Sequence, residues 1–340
     1  MEQRQTLPFG RHLARKTFRS SGTQFTVARS EHCCYNDQIL SRALGRRFND
    51  HIAILLGIRA AIAWALETVL SKPALRQMDM FSYAVIRPLF ALMFVIPFGL
   101  LTSGFQFPGW GILGIAIVAG IIDSFVGSML FYYAVHRVSA HEASSLANTA
   151  PFWGVVTSIL ILGEKMQPVL FVAALFVVLG AVFLVNRSDE KSSFTLSWSA
   201  LPALGSGILW GFVETVPAKY CLTNGMSVMT FQLTLIVSSG IAWGIAAFVR
   251  SRRRPLSFPR RGVAIAFVTA IFGYAVGWIL WLSGVNMVPA SLLSPVRGSM
   301  TLFTFLFSVI LLRERPSRRS AFGALFVLCG VLLVSIFGSA

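Results

Sequence analysis

The sequence predicts an all-α membrane protein of ten transmembrane helices arranged as two inverted five-helix repeats. Three observations carry that prediction: too few charges for a water-facing globule, a succession of long apolar runs, and an internal repeat. Of the 340 residues, 55% are hydrophobic and only 12% are charged, and the mean hydropathy is +0.71. Soluble domains carry roughly 25% charged residues. Half that density leaves too little polar surface to cover a globule of this size.

The apolar runs set the elements. Crossing a hydrocarbon core of about 30 Å takes about 20 residues of helix. Runs near that length occupy 52–71, 81–102, 110–134, 143–162, 168–186, 199–218, 227–248, 262–282, 289–311 and 320–338. Their breaks hold Pro, Gly and charge, as loops do: Lys72-Pro73 after the first run, Gly163-Glu164-Lys165 after the fourth, and the polar stretch from Asn186 to Ser193 after the fifth. The expected organisation is a basic, disordered tail over 1–51, a first repeat over 52–186, a linker over 187–198 and a second repeat over 199–340.

The halves repeat each other collinearly. Trp64, Glu67-Thr68-Val69 and Lys72 recur as Trp210, Glu214-Thr215-Val216 and Lys219, with Glu67 and Glu214 separated by 147 positions. Farther on the offset is 150: Ala174-Leu175-Phe176-Val177 recurs as Ala324-Leu325-Phe326-Val327, Glu164 as Glu314, and Val138-x-Ala140 as Val288-x-Ala290. Five is an odd number of crossings, so the second half enters from the opposite side. Such inverted pairs place a solute site near the bilayer midplane, between the halves.

The net charge of +16 does not indicate nucleic-acid binding. The cations flank apolar runs, as in Arg250, Arg252, Arg253 and Arg254, where they set topology and meet anionic lipid headgroups. The loops after runs 1, 3, 5, 7 and 9 are the basic ones, which puts them in the cytoplasm and both termini outside; the basic tail argues for the opposite orientation, since it would then have to be exported. The first 31 residues of the tail carry Arg4, Arg11, Arg15, Lys16, Arg19 and Arg29 against Glu2 and Glu31. That profile fits a solvated tail and is shared with organelle transit peptides. Cys221 and Cys329 fall in or beside runs as small packers, and no metal-ligand spacing, HExxH, GxSxG or Walker A loop occurs. No catalytic residue, metal or cofactor is expected. His136, Arg137, His141 and Glu142 cluster in a short turn, read as solvated rather than as a metal site.

An ionisable group inside a span is costly unless paired or wetted, so each is a site candidate. Glu67 and Glu214 lie one turn beyond Trp64 and Trp210. Desolvation there favours the neutral form of a carboxyl, which suits proton coupling; the alternative is pairing with Lys72 or Lys219, five residues on, or with a neighbouring span. Arg297 follows Ser294-Pro295 in the ninth run and needs a substrate anion or one of Glu67, Glu214 and Asp123. Asp123 and Arg87 are candidates to pair with each other. Trp64, Trp153, Trp210, Tyr274, Trp278 and Trp281 are candidate cavity walls, suited to amines or aromatic solutes. Glu164 and Glu314 are expected to cap the helices that follow them.

The chain from about 52 to 338 resembles an EamA-type permease of the drug/metabolite transporter superfamily. The resemblance rests on the five-plus-five layout, Trp210-Gly211 with Trp64-Ala65 in the equivalent place, Arg87, Pro151, and Leu162-Gly163-Glu164 with its echo Leu312-Arg313-Glu314. It implies two inverted bundles around a central cavity in a bacterial plasma (inner) membrane, without enzymatic activity. It also implies alternating-access transport of a small metabolite, amino acid or drug-like solute, with protons as a possible second partner. The Glu of the first helix is similar to the coupling carboxylate of the related small multidrug-resistance proteins. A lipid-linked-sugar flippase, or a membrane-embedded enzyme acting at the headgroup, is the competing expectation.

Overall fold

The computed structural model describes residues 30–102, 104–135, 137, 146–185, 198, 201–312 and 318–337. The chain falls into two units, Met1–Leu44 and Gly45–Ala340. Of the first, the described residues are helical from Ser30. The second contains ten helical segments among the described residues, one for each apolar run.

The first repeat comprises α1 (Ser30–Leu75), α2 (Met80–Leu101), α3, α4 (Ala150–Leu162) and α5 (Pro168–Val185). Helix α3 runs over Trp110–Gly120, continues through a π-helical segment, Ile121–Gly127, and ends as Ser128–Val135. The second repeat comprises α6 (Leu201–Thr223), α7 (Val228–Ser251), α8, α9 and α10 (Arg318–Phe337). Helix α8 copies α3: Arg260–Ala270, then a π segment Ile271–Gly277, then Trp278–Met287. Helix α9 is broken at Gly298 into Ala290–Arg297 and Ser299–Leu312. Pro295 sits inside the first piece, and the Gly298 amide turns back to its carbonyl. The Ser294-Pro295 pair thus lies just before the break in the ninth helix.

Six of these segments are long and apolar enough to cross a bilayer, among them Phe48–Leu75 of α1 and Arg260–Met287 of α8. Ala150–Leu162, Pro168–Phe183 and Phe322–Phe337 are shorter apolar helices. Helix α6 has the length, at 23 residues, but Glu214 and Lys219 dilute its hydropathy. The large exposed side chains include Leu100, Leu101, Ile241, Ile245, Phe248, Ile310 and Ile336. Contiguous apolar surface of this extent has no place in water and belongs against lipid.

The internal symmetry survives in the hydrogen bonds. At the start of α2 the Asp79 carboxylate accepts from Phe81 and Ser82, and the Ser82 hydroxyl accepts from the Ser257 amide of the other repeat. At the start of α7 Ser227 accepts from Thr230, whose hydroxyl accepts from the Gln106 amide. Each repeat therefore ties its second helix to a loop of the other. Across the bundle α2 packs on α7 and α8, α3 on α7, α4 on α6 and α9, and α5 along α10.

Small residues permit the closest of these approaches. A Cβ on Gly180 of α5 would lie 2.6 Å from Val327 Cγ2 and 2.7 Å from the Gly323 carbonyl of α10. Gly114 of α3 has nothing within 4 Å of that position. Overpacking of a tight helix contact costs about 1–3 kcal/mol. Gly180→Leu should therefore lower the thermal midpoint of the detergent-solubilised protein by several degrees, while Gly114→Leu leaves it near wild type.

Candidate functional site

A cavity of about 780 Å³ lies within the bundle. Every residue singled out in the sequence as a binding or coupling candidate lines it: Trp64, Glu67, Arg87, Asp123, Trp210, Glu214, Tyr274, Trp278 and Arg297. Trp153 and Trp281 do not contribute to the lining. Trp281 is fully buried and donates to the Glu214 carbonyl at 2.8 Å, whereas the Trp153 indole donates to the Thr149 hydroxyl one turn earlier.

Helical periodicity puts several of these on common faces. On α1, Trp64, Glu67, Thr68, Ser71, Lys72 and Leu75 all line the cavity, the spacing of one helix stripe. The Thr68 and Ser71 hydroxyls bond to carbonyls of the preceding turn, which lets polar residues sit in an apolar helix without orphaned donors. On α6, Trp210 and Glu214 are one turn apart. The remaining wall comes from Tyr83 and Arg87 of α2, Asp123, Ser124, Ser128 and Phe131 of α3, Gly273, Tyr274 and Trp278 of α8, and Arg297 and Met300 of α9.

The two π segments flank the site at equivalent positions. A π segment interrupts the regular α-helical ladder, and here side chains from other helices take carbonyls of both segments. Trp210 Nε1 donates to the Asp123 carbonyl at 3.0 Å, and Trp64 Nε1 donates to the Gly273 carbonyl at 3.2 Å. Asp123 and Gly273 occupy matching places in the repeats, so each repeat's Trp is seated on the other's π segment. Trp243 adds a bond to the Ser124 carbonyl at 2.9 Å, and Gln232 donates to the Tyr274 carbonyl. The indoles also need glycine beneath them: a Cβ on Gly127 or Gly277 would lie 2.6 Å from Trp210 Nε1 or Trp64 Nε1. The sequence carries this signal in Gly127 and Gly277, 150 residues apart, although nothing in it names the helix type.

The charged side chains pair: Arg297 meets Glu214, one of the partners open to it from the sequence, whereas Arg87 does not meet Asp123. Arg87 of α2 donates to Glu67 of α1, not to Asp123. Its guanidinium lies over the Tyr83 ring at 5.0 Å and the Tyr274 ring at 4.7 Å. Arg297 of α9 clasps Glu214 of α6 with two donors, Nη2 reaching Oε1 at 2.6 Å and Nε reaching Oε2. Neither glutamate uses the lysine five residues on. A spacing of five turns a helix by about 500°, or 140° past a full turn, so those side chains diverge. The two pairs break the symmetry of the repeats: one arginine comes from the second helix of its repeat, the other from the fourth.

Lys219, freed from Glu214, donates to the Val285 and Val288 carbonyls at 2.7 and 2.9 Å, at the C-terminal end of α8. Glu164 also departs from expectation. Instead of capping α5, it accepts from the Ala290 and Ser291 amides, both at 2.8 Å, and so caps α9 across the bundle. Cations favour helix C-termini and anions N-termini, and this clamp uses both at the α8–α9 turn. Arg59 is exposed on the outer face of α1. His136, His141, Glu142 and Glu314 lie outside the described residues. Among the described residues no three His, Cys, Asp or Glu side chains converge on a metal-binding geometry.

Residues 51–186 and 197–336 each match the EamA-like transporter family, one match per repeat, and the chain belongs to that family. It is 25% identical over 293 residues to an uncharacterized transporter of Archaeoglobus fulgidus, a match covering 83% of this chain and 98% of that protein. The uncharacterized inner membrane transporter YhbE of Escherichia coli is 26% identical over 171 residues, covering 47% of this chain and 51% of YhbE. One solved crystal structure shares the fold, with a TM-score of 0.69 at 16% identity over 83% of this chain and 95% of its own. The protein is a multi-pass integral membrane protein of a transporter family.

Removing one partner of a buried ion pair leaves an uncompensated charge and costs about 3–5 kcal/mol, whereas replacing both with apolar groups is often neutral. Arg297→Met should markedly lower the thermal midpoint in detergent, and the double variant Arg297→Met/Glu214→Leu should recover most of the loss. Equal destabilisation by the single and the double variants would show that the pair carries no such coupling.

Proposed function

We propose that this protein is a secondary transporter that moves a small solute across a bacterial plasma membrane by alternating access. One observation carries the reading: a cavity walled by both repeats reaches one end of the bundle and is clamped at the other. Its lining runs from the Arg297–Glu214 pair out to Leu75, Met78, Asp79 and Met80 around the α1–α2 turn, and to Arg250 at the end of α7. At the opposite end the α8–α9 turn is held by Lys219 and Glu164. A volume of about 780 Å³ falls in the range of about 300–1,000 Å³ usual for small-molecule sites.

The repeat supplies the second state. Lys72 is the counterpart of Lys219, yet it is exposed and lines the open end, while Lys219 is half-buried on two carbonyls. Exchanging the conformations of the two halves would free Lys219 and bring Lys72 to the end of α3, whose Val135 corresponds to Val285. The two lysines then act as alternating latches, one per face. The α1–α2 and α7–α8 turns carry Arg76 and Arg250 to Arg254, so the positive-inside rule assigns the open end to the cytoplasm. Proton coupling through Glu67 or Glu214 requires the carboxylate to leave its arginine.

Two measurements test this. In proteoliposomes, a panel of amino acids, amines and sugars should contain a solute whose uptake saturates, and Arg297→Met should abolish that flux. Absence of saturable flux for every solute, with lipid translocation instead, would replace the reading with a flippase. For the latches, thiol labelling of Ser71→Cys in a cysteine-free background reports the open end. A hydrogen-bonded charge contributes about 1.5–3 kcal/mol, so Lys219→Met should shift the equilibrium between the two faces roughly tenfold or more and lower labelling, and Lys72→Met should not. Equal effects of the two substitutions would count against alternating latches.

A further inference from the structure

The cavity's interior contains one acid more than it has bases. Glu67, Asp123 and Glu214 face inward with Arg87 and Arg297, and each arginine is engaged by a glutamate. Lys72, Asp79 and Arg250 stand at the open end; Asp79 is occupied as the cap of α2, and charges in contact with water are screened. Asp123 is 5% exposed. Its Oδ2 accepts from the Ser124 hydroxyl at 2.9 Å, and its Oδ1 is buried with no hydrogen-bond partner. The charged groups acting on it, Glu214 and Arg297, are already bound to each other.

The symmetry of the repeats shows that this acid is additional. Its counterpart is Gly273, where a Cβ would run into the Glu67 carboxylate. On that wall the glutamate fills the space and Arg87 neutralises it. On the α3–α6 wall Asp123 and Glu214 are both present, and only Glu214 has an arginine. A carboxylate with a bare oxygen in a low-dielectric interior is costly, and the missing partner is a cation. Beside it stand Trp210, whose indole is anchored on the Asp123 carbonyl, and Phe131, with ring centroids 5.7 Å apart. Arg87 lies over Tyr83 and Tyr274 on the other wall, but among the described residues no arginine or lysine stacks on Trp210. Aromatic faces attract ammonium groups. An anionic solute would find both guanidinium groups already bound to carboxylates.

We propose that the transported solute carries an ammonium group, bound by Asp123 against the Trp210–Phe131 wall. The proposal rests on the transporter reading above and deepens it by naming the substrate class. Binding is measured by calorimetry on the purified full-length protein in detergent, with two sets of head-group isosteres: 2-phenylethylamine, 2-phenylethanol and 3-phenylpropanoate, and hexylamine, hexanol and hexanoate. A charge-assisted hydrogen bond favours the amine over its alcohol by roughly 10- to 100-fold, and the carboxylates should bind more weakly still. Asp123→Asn should lose that preference while Asp123→Glu keeps part of it, with thermal melting confirming that both variants fold. The wild-type comparison needs no variant. Alcohols or carboxylates binding as tightly as amines in both sets, or a folded Asp123→Asn with undiminished amine affinity, would overturn the proposal. So would proton uptake at Asp123 without amine selectivity. The readings fail separately: an amine that binds but never crosses a proteoliposome membrane sinks transport alone, and saturable flux of another solute without amine binding sinks the amine site alone.

Discussion

A charge placed in hydrocarbon must be neutralised or hydrogen-bonded by the protein itself, because the surrounding lipid offers nothing. In this protein that constraint acts at the centre of the bundle, where Glu214 is held by Arg297 through two donors and Glu67 by Arg87. The helices that carry these four residues cannot slide or rotate independently without exposing a bare charge. The pairs therefore fix the relative positions of α1 with α2 and of α6 with α9, and the rest of the cavity is assembled around them. A buried pair gives little net stability compared with an apolar substitute, which fits a role in position and specificity rather than in strength.

The symmetry of the fold and the asymmetry of its site are complementary. Two copies of one five-helix design provide matching π segments, matching tryptophans that cross to the other half, and matching cap-to-loop bonds from Ser82 and Thr230. A perfectly symmetric pair would give one midplane environment seen twice. Here Gly273 replaces the counterpart of Asp123, and the arginines come from unlike helices. The charged groups are thus distributed unequally between the two walls, while the scaffold retains the near-equivalence of the repeats.

The α8–α9 turn shows how polar backbone groups tie helix ends together across the bundle. Helix termini leave unpaired carbonyls and amides, and the α8–α9 turn presents both within a few residues. Lys219 takes the carbonyls and Glu164 takes the amides. Such bonds replace those the helix ends would otherwise make to water. Helix α9 breaks just after Pro295, at Gly298, which places the Arg297 guanidinium at a helix break in the interior of the bundle.

The sequence by itself determined the all-helical membrane class and placed the apolar runs, because a bilayer demands about 20 apolar residues per crossing; among the described residues six helices meet that demand by length and composition. It also determined the repeat, through Glu67 with Glu214 and Lys72 with Lys219, and marked the residues that line the cavity, since an ionisable or aromatic group in an apolar run stands out. Only the tertiary structure decided which charges meet. Arg87 had Asp123 as its candidate partner and meets Glu67 instead, and Glu164 had the adjacent α5 to cap; which partner is reached depends on helix rotation and crossing, which composition along one helix does not encode. The π segments were likewise invisible, because their carbonyls are released to Trp64, Trp210, Trp243 and Gln232, residues distant in the chain. Local periodicity is written within about two turns of sequence, but partnership across 83 residues, as between Glu214 and Arg297, exists only once the helices have packed.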